Sequence, residues 1–281
     1  MLSDELAHLQ ARVGYLAASA LTAEDVAAGA EGVRWLPTAA LLEPGGVLAE
    51  LLGPDRTGRF ARDRRVAASS FFQGAALRVL GTGVGLWLLT GRFPDVGAPC
   101  TAYALEVDLP ARLALVAGSP SSGDERSTAP HHLTGPDPDW FATRAFTAHL
   151  DPLAEAVRDA VRIGSQTLWG NAAAALAGVI LDLVRTFPPA ARPAHLAAAR
   201  DLLDALPHRL ARHGEWTDVA DGARRDLFWV RRTCCLWYLE DPERSLCDTC
   251  TLLPEHERRE RLVRQLARRA ATFTPTTAPA D

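Results

Sequence analysis

Four of the chain's five cysteines lie close together near its carboxyl end. They are Cys234, Cys235, Cys247 and Cys250, which form the pattern C-C-x11-C-x2-C within seventeen residues. Free cysteines that serve only as small buried side chains are usually scattered along a chain. Four clustered thiols therefore indicate a metal site, and the surrounding chain must fold so that all four side chains meet.

The two halves of this pattern place different demands on the backbone. Cys247 and Cys250 have the spacing at which two thiolates bind one metal from a tight turn, in zinc and iron–sulfur sites alike. Cys234 and Cys235 are adjacent, so in an extended chain their side chains would point to opposite faces, and both reach one centre only if the backbone bends. A two-iron cluster accommodates adjacent ligands more easily than a single zinc ion does. The pattern favours iron–sulfur, with zinc and a redox or structural thiol group as alternatives.

Positive charge lies directly before the cysteine pair, at Arg231 and Arg232. A cluster bound by four thiolates carries net negative charge, so nearby arginines would raise its reduction potential and attract anionic partners. The alternative is a solvated charged face, because acidic residues follow in the same stretch. We predict the functional role for these two arginines.

The cysteine pattern resembles the carboxyl-terminal signature of the FhuF-type ferric-siderophore reductases, C-C-x10-C-x2-C. Arg231-Arg232-Thr233 is similar to the Arg-Arg-Ser/Thr that leads into the cysteine pair of that family, and Leu168-Trp169-Gly170-Asn171 resembles its Leu-Trp-Gly-Asn segment. The spacer has eleven residues in this chain instead of ten. The extra residue falls in a Pro/Glu/Arg loop, where insertions are tolerated.

The resemblance implies a [2Fe–2S] cluster on Cys234, Cys235, Cys247 and Cys250, and reduction of siderophore-bound Fe(III) to Fe(II). Siderophores hold Fe(III) through hard oxygen donors that suit Fe(II) less well, so one electron weakens the complex. The implied substrate is a ferric siderophore, of the hydroxamate type. Arg231, Arg232, Trp169 and Asn171 are the candidate substrate-binding residues. For the last two, the plainer interpretation is helix packing beside Gly170, with a local hydrogen bond from the asparagine.

The electron source must be a separate protein, since no G-x-G-x-x-G fingerprint for a flavin or nicotinamide follows a predicted strand. A ferredoxin or a flavoprotein reductase fits that role. Two other functions remain open: a non-catalytic siderophore- or protein-binding protein with a structural zinc site, and an iron–sulfur redox sensor.

Composition excludes several classes of protein. The chain contains no lysine, which excludes a P-loop NTPase, a pyridoxal enzyme and a kinase. A net charge of −4 argues against a nucleic-acid partner. The acidic amino-terminal residues do not resemble a signal peptide, and Val79–Leu89, the best candidate for a membrane span, is too short. We expect a soluble cytoplasmic protein.

The predicted fold class is α+β, predominantly helical, with a small antiparallel sheet in the amino-terminal half and a short irregular four-cysteine module packed on the helices. The sheet is predicted from Thr101–Val107 and Arg112–Val116, which are rich in β-favouring residues. The expected organisation is a body over residues 1–223 with the siderophore-binding region, the cysteine module and final helix over 224–271, and a disordered tail over 272–281.

Apolar periodicity and end signals predict the helices. They are Leu2–Leu21, Thr22–Ala28, Arg64–Leu89, Phe141–Val161, Ser165–Thr186, Ala194–Leu206, Pro207–His213 and Glu255–Ala271. Gly81, Gly83 and Gly85 weaken the last third of the third helix. Ser119–Asp139, with His131 and His132, is a predicted long loop, and Arg225–Val230 is predicted to be extended. Cys100, far from the other four cysteines, is predicted to be a structural thiol.

Overall fold

The protein was analysed as a computed structural model, which describes residues 2–53, 61–117, 137–241, 243 and 245–272. The α-helices are α1 (Leu2–Arg12), α2 (Ala23–Ala28), α3 (Thr38–Leu41), α4 (Val47–Leu51), α5 (Arg64–Thr90), α6 (Pro138–Ala142), α7 (Asp151–Ala160), α8 (Ser165–Thr186), α9 (Arg192–Ala205) and α10 (Glu255–Thr272). The strands are β1 (Ala18–Thr22), β2 (Trp35–Pro37), β3 (Thr101–Glu106), β4 (Leu109–Ala117), β5 (Gly214–Asp221) and β6 (Arg224–Arg231). The predicted class, α+β and mostly helical, is confirmed.

Helices α5 and α8 pack against each other at the centre of the molecule, and residues from both contribute to one large apolar core. Helix α5 continues through Gly81, Gly83 and Gly85, although these residues weakened its prediction. At Gly83 an added Cβ would lie 2.3 Å from the ring of Phe141. Close packing of neighbouring side chains therefore accounts for glycines that an isolated helix would disfavour.

The sheet in the amino-terminal half is mixed, with the order β1-β4-β3-β2. The predicted antiparallel pairing of β3 with β4 is confirmed, but β1 pairs with β4 in parallel, with Ala18 opposite Leu113. The predicted helix Leu2–Leu21 is therefore wrong beyond Arg12. Its small and apolar residues suit a helix locally, whereas pairing with a strand more than ninety positions away decides the outcome.

Two helices, α5 and α8, are long and apolar enough by length and composition to cross a membrane. The prediction that no segment is long enough to span a membrane was wrong. In α5, 67% of the apolar window is buried inside the protein, and in α8 the share is 78%. Burial to this extent is typical of the core helices of a globular domain.

The second half of the chain follows the helix predictions closely. Helix α8 matches its predicted bounds, and the predicted helix Phe141–Val161 corresponds to α6, a π-helical segment at Thr143–Leu150 and α7, which end at Ala160. Pro207–His213 is a 3-10 segment instead of an α-helix, and it is interrupted at His208 and Arg209, whose positive φ is incompatible with a right-handed helix. The predicted loop Ser119–Asp139 lies outside the described residues up to position 136, which includes His131 and His132. The predicted tail is outside them from position 273.

A hairpin of β5 and β6 precedes the cysteines, and its sequence predicted only the second strand. The predicted boundary at residue 223 falls in the turn of this hairpin. A small apolar cluster joins the hairpin to α10, and its members are Val219, Phe228, Val230, Leu262 and Leu266. The chain between β6 and α10, which carries all four clustered cysteines, therefore starts and ends on the same small core.

His149 is fully buried beside the sheet, and this burial predicts an acid-sensitive fold. Its Nδ1 donates to the carbonyl of Val96 at 2.6 Å, and in the neutral ring its Nε2 accepts from the hydroxyl of Tyr103 at 2.8 Å. Burial lowers the pKa of His149 from 6.5 to about 4. As pH falls, the unfolded chain binds this proton before the folded chain does.

Stability should therefore be constant above pH 6.5 with respect to this group and fall by about 3 kcal/mol between pH 6.5 and 4. Urea unfolding at pH 7.0 and pH 4.5 measures the loss. A His149→Gln variant should show a smaller loss over this interval, whereas a His256→Gln variant, changed at an exposed position, should keep it. Equal pH dependence in all three proteins would contradict the assignment.

Candidate metal centre

The backbone changes direction immediately after the cysteine pair. Strand β6 ends at Arg231, and Cys234 and Cys235 follow in irregular chain. Leu236 adopts the left-handed conformation, with φ 69° and ψ −2°, before a single 3-10 turn at Trp237–Leu239. Left-handed backbone is costly for leucine, so the surrounding structure holds this reversal in place.

Cys247 and Cys250 lie on a tight turn, closed by a 2.9 Å bond from the Cys250 N–H to the Cys247 carbonyl. The Leu252 N–H points at the Cys250 sulfur, with 3.4 Å between nitrogen and sulfur. The Leu236 N–H points at the Cys234 sulfur in the same way, at 3.3 Å. Each loop thus directs a backbone donor from two residues ahead at a cysteine sulfur, an arrangement that stabilises thiolate charge.

The two loops meet. The backbone N–H of Arg231 donates to the Thr249 carbonyl at 3.3 Å, so the end of β6 is tied to the Cys247–Cys250 turn. The thiols of Cys235 and Cys247 lie close enough for each to shift the pKa of the other. Cys234 interacts electrostatically with both Cys235 and Cys250. All the cysteines are free thiols, so the sulfurs of the two halves are close without being joined by disulfides.

The proximity of Cys235 and Cys247 shifts the pKa values of their thiols in opposite directions. The interaction with Cys247 lowers the pKa of Cys235, and the positive charge of Arg231 acts in the same direction. The same interaction raises the pKa of Cys247, and burial raises the pKa of Cys234. Cys235 is therefore the first of these three to become a thiolate, which is the form that binds metals.

Arg231 and Arg232 occupy different environments, although the same role was predicted for both. Arg231 is only 8% exposed, and its charge lowers the pKa of three of the four clustered thiols. Its guanidinium donates to the side-chain oxygen of Asn171. Arg232 is exposed and pairs with Glu215 at 3.0 Å. Of the two, Arg231 is the one whose charge acts on the cysteines.

The Leu-Trp-Gly-Asn segment of α8 packs directly against the residues before the cysteine pair. Asn171 is fully buried and bonds to Arg231, as described, and to Ser69 of α5. At Gly170 an added Cβ would lie 1.7 Å from the hydroxyl oxygen of Thr233. The two segments that carry the family resemblance, far apart in sequence, are thus in contact. The plainer interpretation is confirmed for the close approach at Gly170, but it is wrong for Asn171, whose hydrogen bonds go to Ser69 and Arg231, far away in sequence.

Trp169 is 7% exposed and belongs to the core. Its ring stacks on His208 with 3.7 Å between centroids and meets Phe72 edge-on at 5.3 Å. These contacts are within the protein, and so are those of Asn171. Direct contact of either residue with a substrate therefore stays a prediction, as it does for both arginines.

Cys100 lies elsewhere and is buried, as predicted for a structural thiol. Its sulfur is 3.6 Å from a carboxylate oxygen of Asp95 and 3.8 Å from a guanidinium nitrogen of Arg144. Burial raises its pKa to about 11. This thiol stays protonated at neutral pH, unlike a metal ligand.

The donor set suits a metal, although the sulfurs are not arranged around a single ion. Within residues 2–53, 61–117, 137–241, 243 and 245–272, no three His, Cys, Asp or Glu side chains are placed to hold one metal ion. Four free thiols are nevertheless the same kind and number of ligands as those of a two-iron cluster. Over the same residues, Arg231 Nε and Thr233 Oγ1 are buried without a hydrogen-bond partner. Buried donors of this kind beside thiols fit an anionic group.

Ser69 is the site residue that the sequence analysis missed. Its hydroxyl donates to the backbone carbonyl of Cys235 at 2.9 Å and accepts from Asn171 at 2.6 Å. The available signal was a pair of serines, Ser69 and Ser70, inside a helix that is otherwise apolar all round. A polar residue at a buried helix position needs a partner, and here that partner is the cysteine loop.

No protein-family model matches the chain, and no curated protein matches it significantly. The similarity to the FhuF-type reductases therefore stays a prediction, carried by the residues quoted above.

Proposed function

We propose that the protein is a ferric-siderophore reductase of the cytoplasm, in which Cys234, Cys235, Cys247 and Cys250 hold a [2Fe–2S] cluster. The cluster supplies a one-electron change, which matches the single electron that converts siderophore-bound Fe(III) to Fe(II). The siderophore, of the hydroxamate type, loses affinity for the reduced metal, and its oxygens take up protons from water as Fe(II) leaves.

The observation that carries this proposal is the meeting of two cysteine pairs beside a buried arginine. Four free thiols with backbone N–H groups aimed at two of them are a ligand set for an iron–sulfur cluster. Arg231 would offset part of the negative charge that such a cluster gains on reduction, and would thereby raise its potential. A zinc site bound by four thiolates is also anionic, so Arg231 distinguishes the two only through its effect on a reduction potential, which a zinc site does not have.

The exposed side of the cysteine region supports contact with other molecules. Cys247 is exposed, and two large apolar side chains near the cysteines are also open to solvent: Trp237 at 45% and Leu252 at 51%. Exposed apolar side chains beside a redox centre suit a transient partner, such as the ferredoxin or flavoprotein reductase that must supply the electron. A ferric siderophore would approach the same thiols.

The proposal is tested by anaerobic purification followed by iron and sulfide analysis, a visible spectrum, and a single-turnover reaction. We expect red-brown protein with two irons and two sulfides per chain. After reduction with dithionite and removal of the excess, addition of ferrioxamine should restore the oxidised spectrum. A ferrous chelator should then trap one Fe(II) per cluster.

Other outcomes separate the alternatives. Equimolar zinc without visible absorbance would favour the non-catalytic binding protein. An intact cluster that stays reduced in the presence of ferrioxamine would contradict reductase activity and favour the redox sensor. Copurified flavin would show that the protein carries its own electron donor and would contradict the expectation of an external flavoprotein or ferredoxin.

A further inference from the structure

We propose that Asn171 is the positioning residue of the metal centre, because one buried amide fixes both the cation beside the thiols and the backbone at the cysteine pair. This inference rests on the proposed function and deepens it. Neither the cysteine pattern nor the family resemblance assigns this role to Asn171.

The orientation of the Asn171 amide is determined by its partners. Its nitrogen donates to the hydroxyl of Ser69 at 2.6 Å and to the carbonyl of Ser69 at 3.2 Å, and its oxygen accepts from the guanidinium of Arg231. A carbonyl can only accept and a guanidinium can only donate, so the reverse orientation of the amide would break two of these bonds. Asn171 is fully buried, and water does not compete for these contacts.

Ser69 extends the connection to the cysteine loop. Its hydroxyl accepts one hydrogen bond from Asn171 and donates its proton to the Cys235 carbonyl. The path therefore runs from Arg231 at the end of β6, through α8 and α5, and back to the backbone of a cysteine. Four groups on β6, α8, α5 and the cysteine loop form one hydrogen-bonded chain, so movement of one member is transmitted to the cysteine pair or the cation.

The neutrality of Asn171 is the chemical core of the proposal. Arg231 is buried, and its charge acts on Cys234, Cys235 and Cys247. An aspartate at position 171 would still accept from the guanidinium but would cancel its charge, and it would lose the donor to the Ser69 carbonyl. An asparagine holds it and leaves the positive charge to act on the thiolates. The amide thus places a cation without neutralising it, which favours the reduced state of an anionic cluster.

Asn171→Asp tests the charge, because it keeps the size of the side chain. In the iron-loaded protein we expect the oxidised-to-reduced equilibrium of the cluster to shift by at least tenfold toward the oxidised form, which is about 59 mV for one electron. Redox titration followed by visible absorbance measures this shift. Arg231→Gln, which removes the same charge and leaves Asn171 in place, should shift the equilibrium in the same direction and serves if Asn171→Asp does not fold. Arg232→Gln, the matched change at the exposed neighbour, should shift it less than threefold.

Ser69→Ala tests the positioning. It keeps the charge of Arg231 but removes the bond to the Cys235 carbonyl, so the potential should move little while a chelator removes iron at least threefold faster. The matched control is Thr82→Val on the same helix. Thr82 is fully buried, and its hydroxyl has no hydrogen-bond partner within the described part of the chain. This variant should lose iron at the rate of the unaltered protein.

A shift below threefold in both Asn171→Asp and Arg231→Gln, in folded and iron-loaded protein, would overturn the proposal while leaving the reductase intact. Equal iron loss in Ser69→Ala and Thr82→Val would also overturn it. If the unaltered protein holds no cluster, the proposed function fails, and the rate at which iodoacetamide alkylates Cys235 in the reduced protein becomes the measurement. That rate should rise at least threefold in Ser69→Ala relative to Thr82→Val, and equal rates would remove the positioning role as well.

Discussion

A Cys235→Ser variant should be colourless, with less than about a tenth of the iron of the unaltered protein and at least about 100-fold less reduction of ferrioxamine. Cys235 has the lowest pKa among the three clustered thiols whose pKa is shifted, since it interacts with Cys247 and lies near Arg231. A serine hydroxyl does not ionise near neutral pH and is a poor ligand for iron in a thiolate set. Iron and sulfide analysis with a visible spectrum measures the loss.

The matched control is Cys100→Ser, at the remaining cysteine of the chain. Its thiol is buried between Asp95 and Arg144, away from the cluster of four. This variant should keep its colour and its activity, although it can lose some stability. Loss of colour in Cys100→Ser, or its retention in Cys235→Ser, would show that the ligand assignment is wrong.

The second large effect is expected at Gly170, where α8 touches the chain that leads into the cysteine pair. An added Cβ would lie 1.7 Å from Thr233 Oγ1 and 2.6 Å from Thr233 Cβ, so Gly170→Ala must displace one of the two elements. Overpacking of a buried contact costs about 3 kcal/mol. Because Thr233 immediately precedes Cys234, we also expect faster loss of iron. Urea unfolding and chelator challenge measure the two effects.

Gly178 provides the control, since it lies on the same helix and an added Cβ there would meet nothing within 4 Å. Gly178→Ala should stabilise the protein by about 0.5–1 kcal/mol, because alanine is the better helix former. In the Gly170→Ala background, Thr233→Ala should recover part of the lost stability, since it removes the nearest atom. Equal stability of the two Gly→Ala variants would contradict the close approach of α8 and the cysteine loop.

The sequence correctly predicted those helices whose apolar spacing and end signals lie within the segment itself. Helix α8 was predicted with its observed bounds, and α10 to within one residue, because their apolar spacing and end signals are contained in the segments themselves. Ala18–Thr22 was wrongly predicted as helix, since its strand character depends on β4. Strand β5 was missed for a related reason: its outward-facing polar residues hide the alternation that pairing with β6 reveals.

Some residues of the candidate site were likewise predictable from the sequence, and others were not. The cysteines and Arg231 are visible in the sequence because they are close together there, and the Trp-Gly-Asn segment was visible through the resemblance alone. The link between them was not predictable, since Ser69 and Asn171 are 102 positions apart and their bond depends on the packing of α5 against α8. A buried polar side chain identifies the need for a partner, but only the folded chain identifies which partner it is.

The small apolar cluster that joins β6 to α10 has a consequence for how this region can vary. Phe228 and Leu262 fix both ends of the intervening segment, so the segment behaves as a tethered loop rather than a free arm. Lengthening such a loop from ten to eleven residues between Cys235 and Cys247 changes its closure entropy by under about 0.1 kcal/mol. A change of one residue in the spacer should therefore have little effect on stability. Loss of the apolar contacts at Phe228 or Leu262, in contrast, would separate the two cysteine pairs.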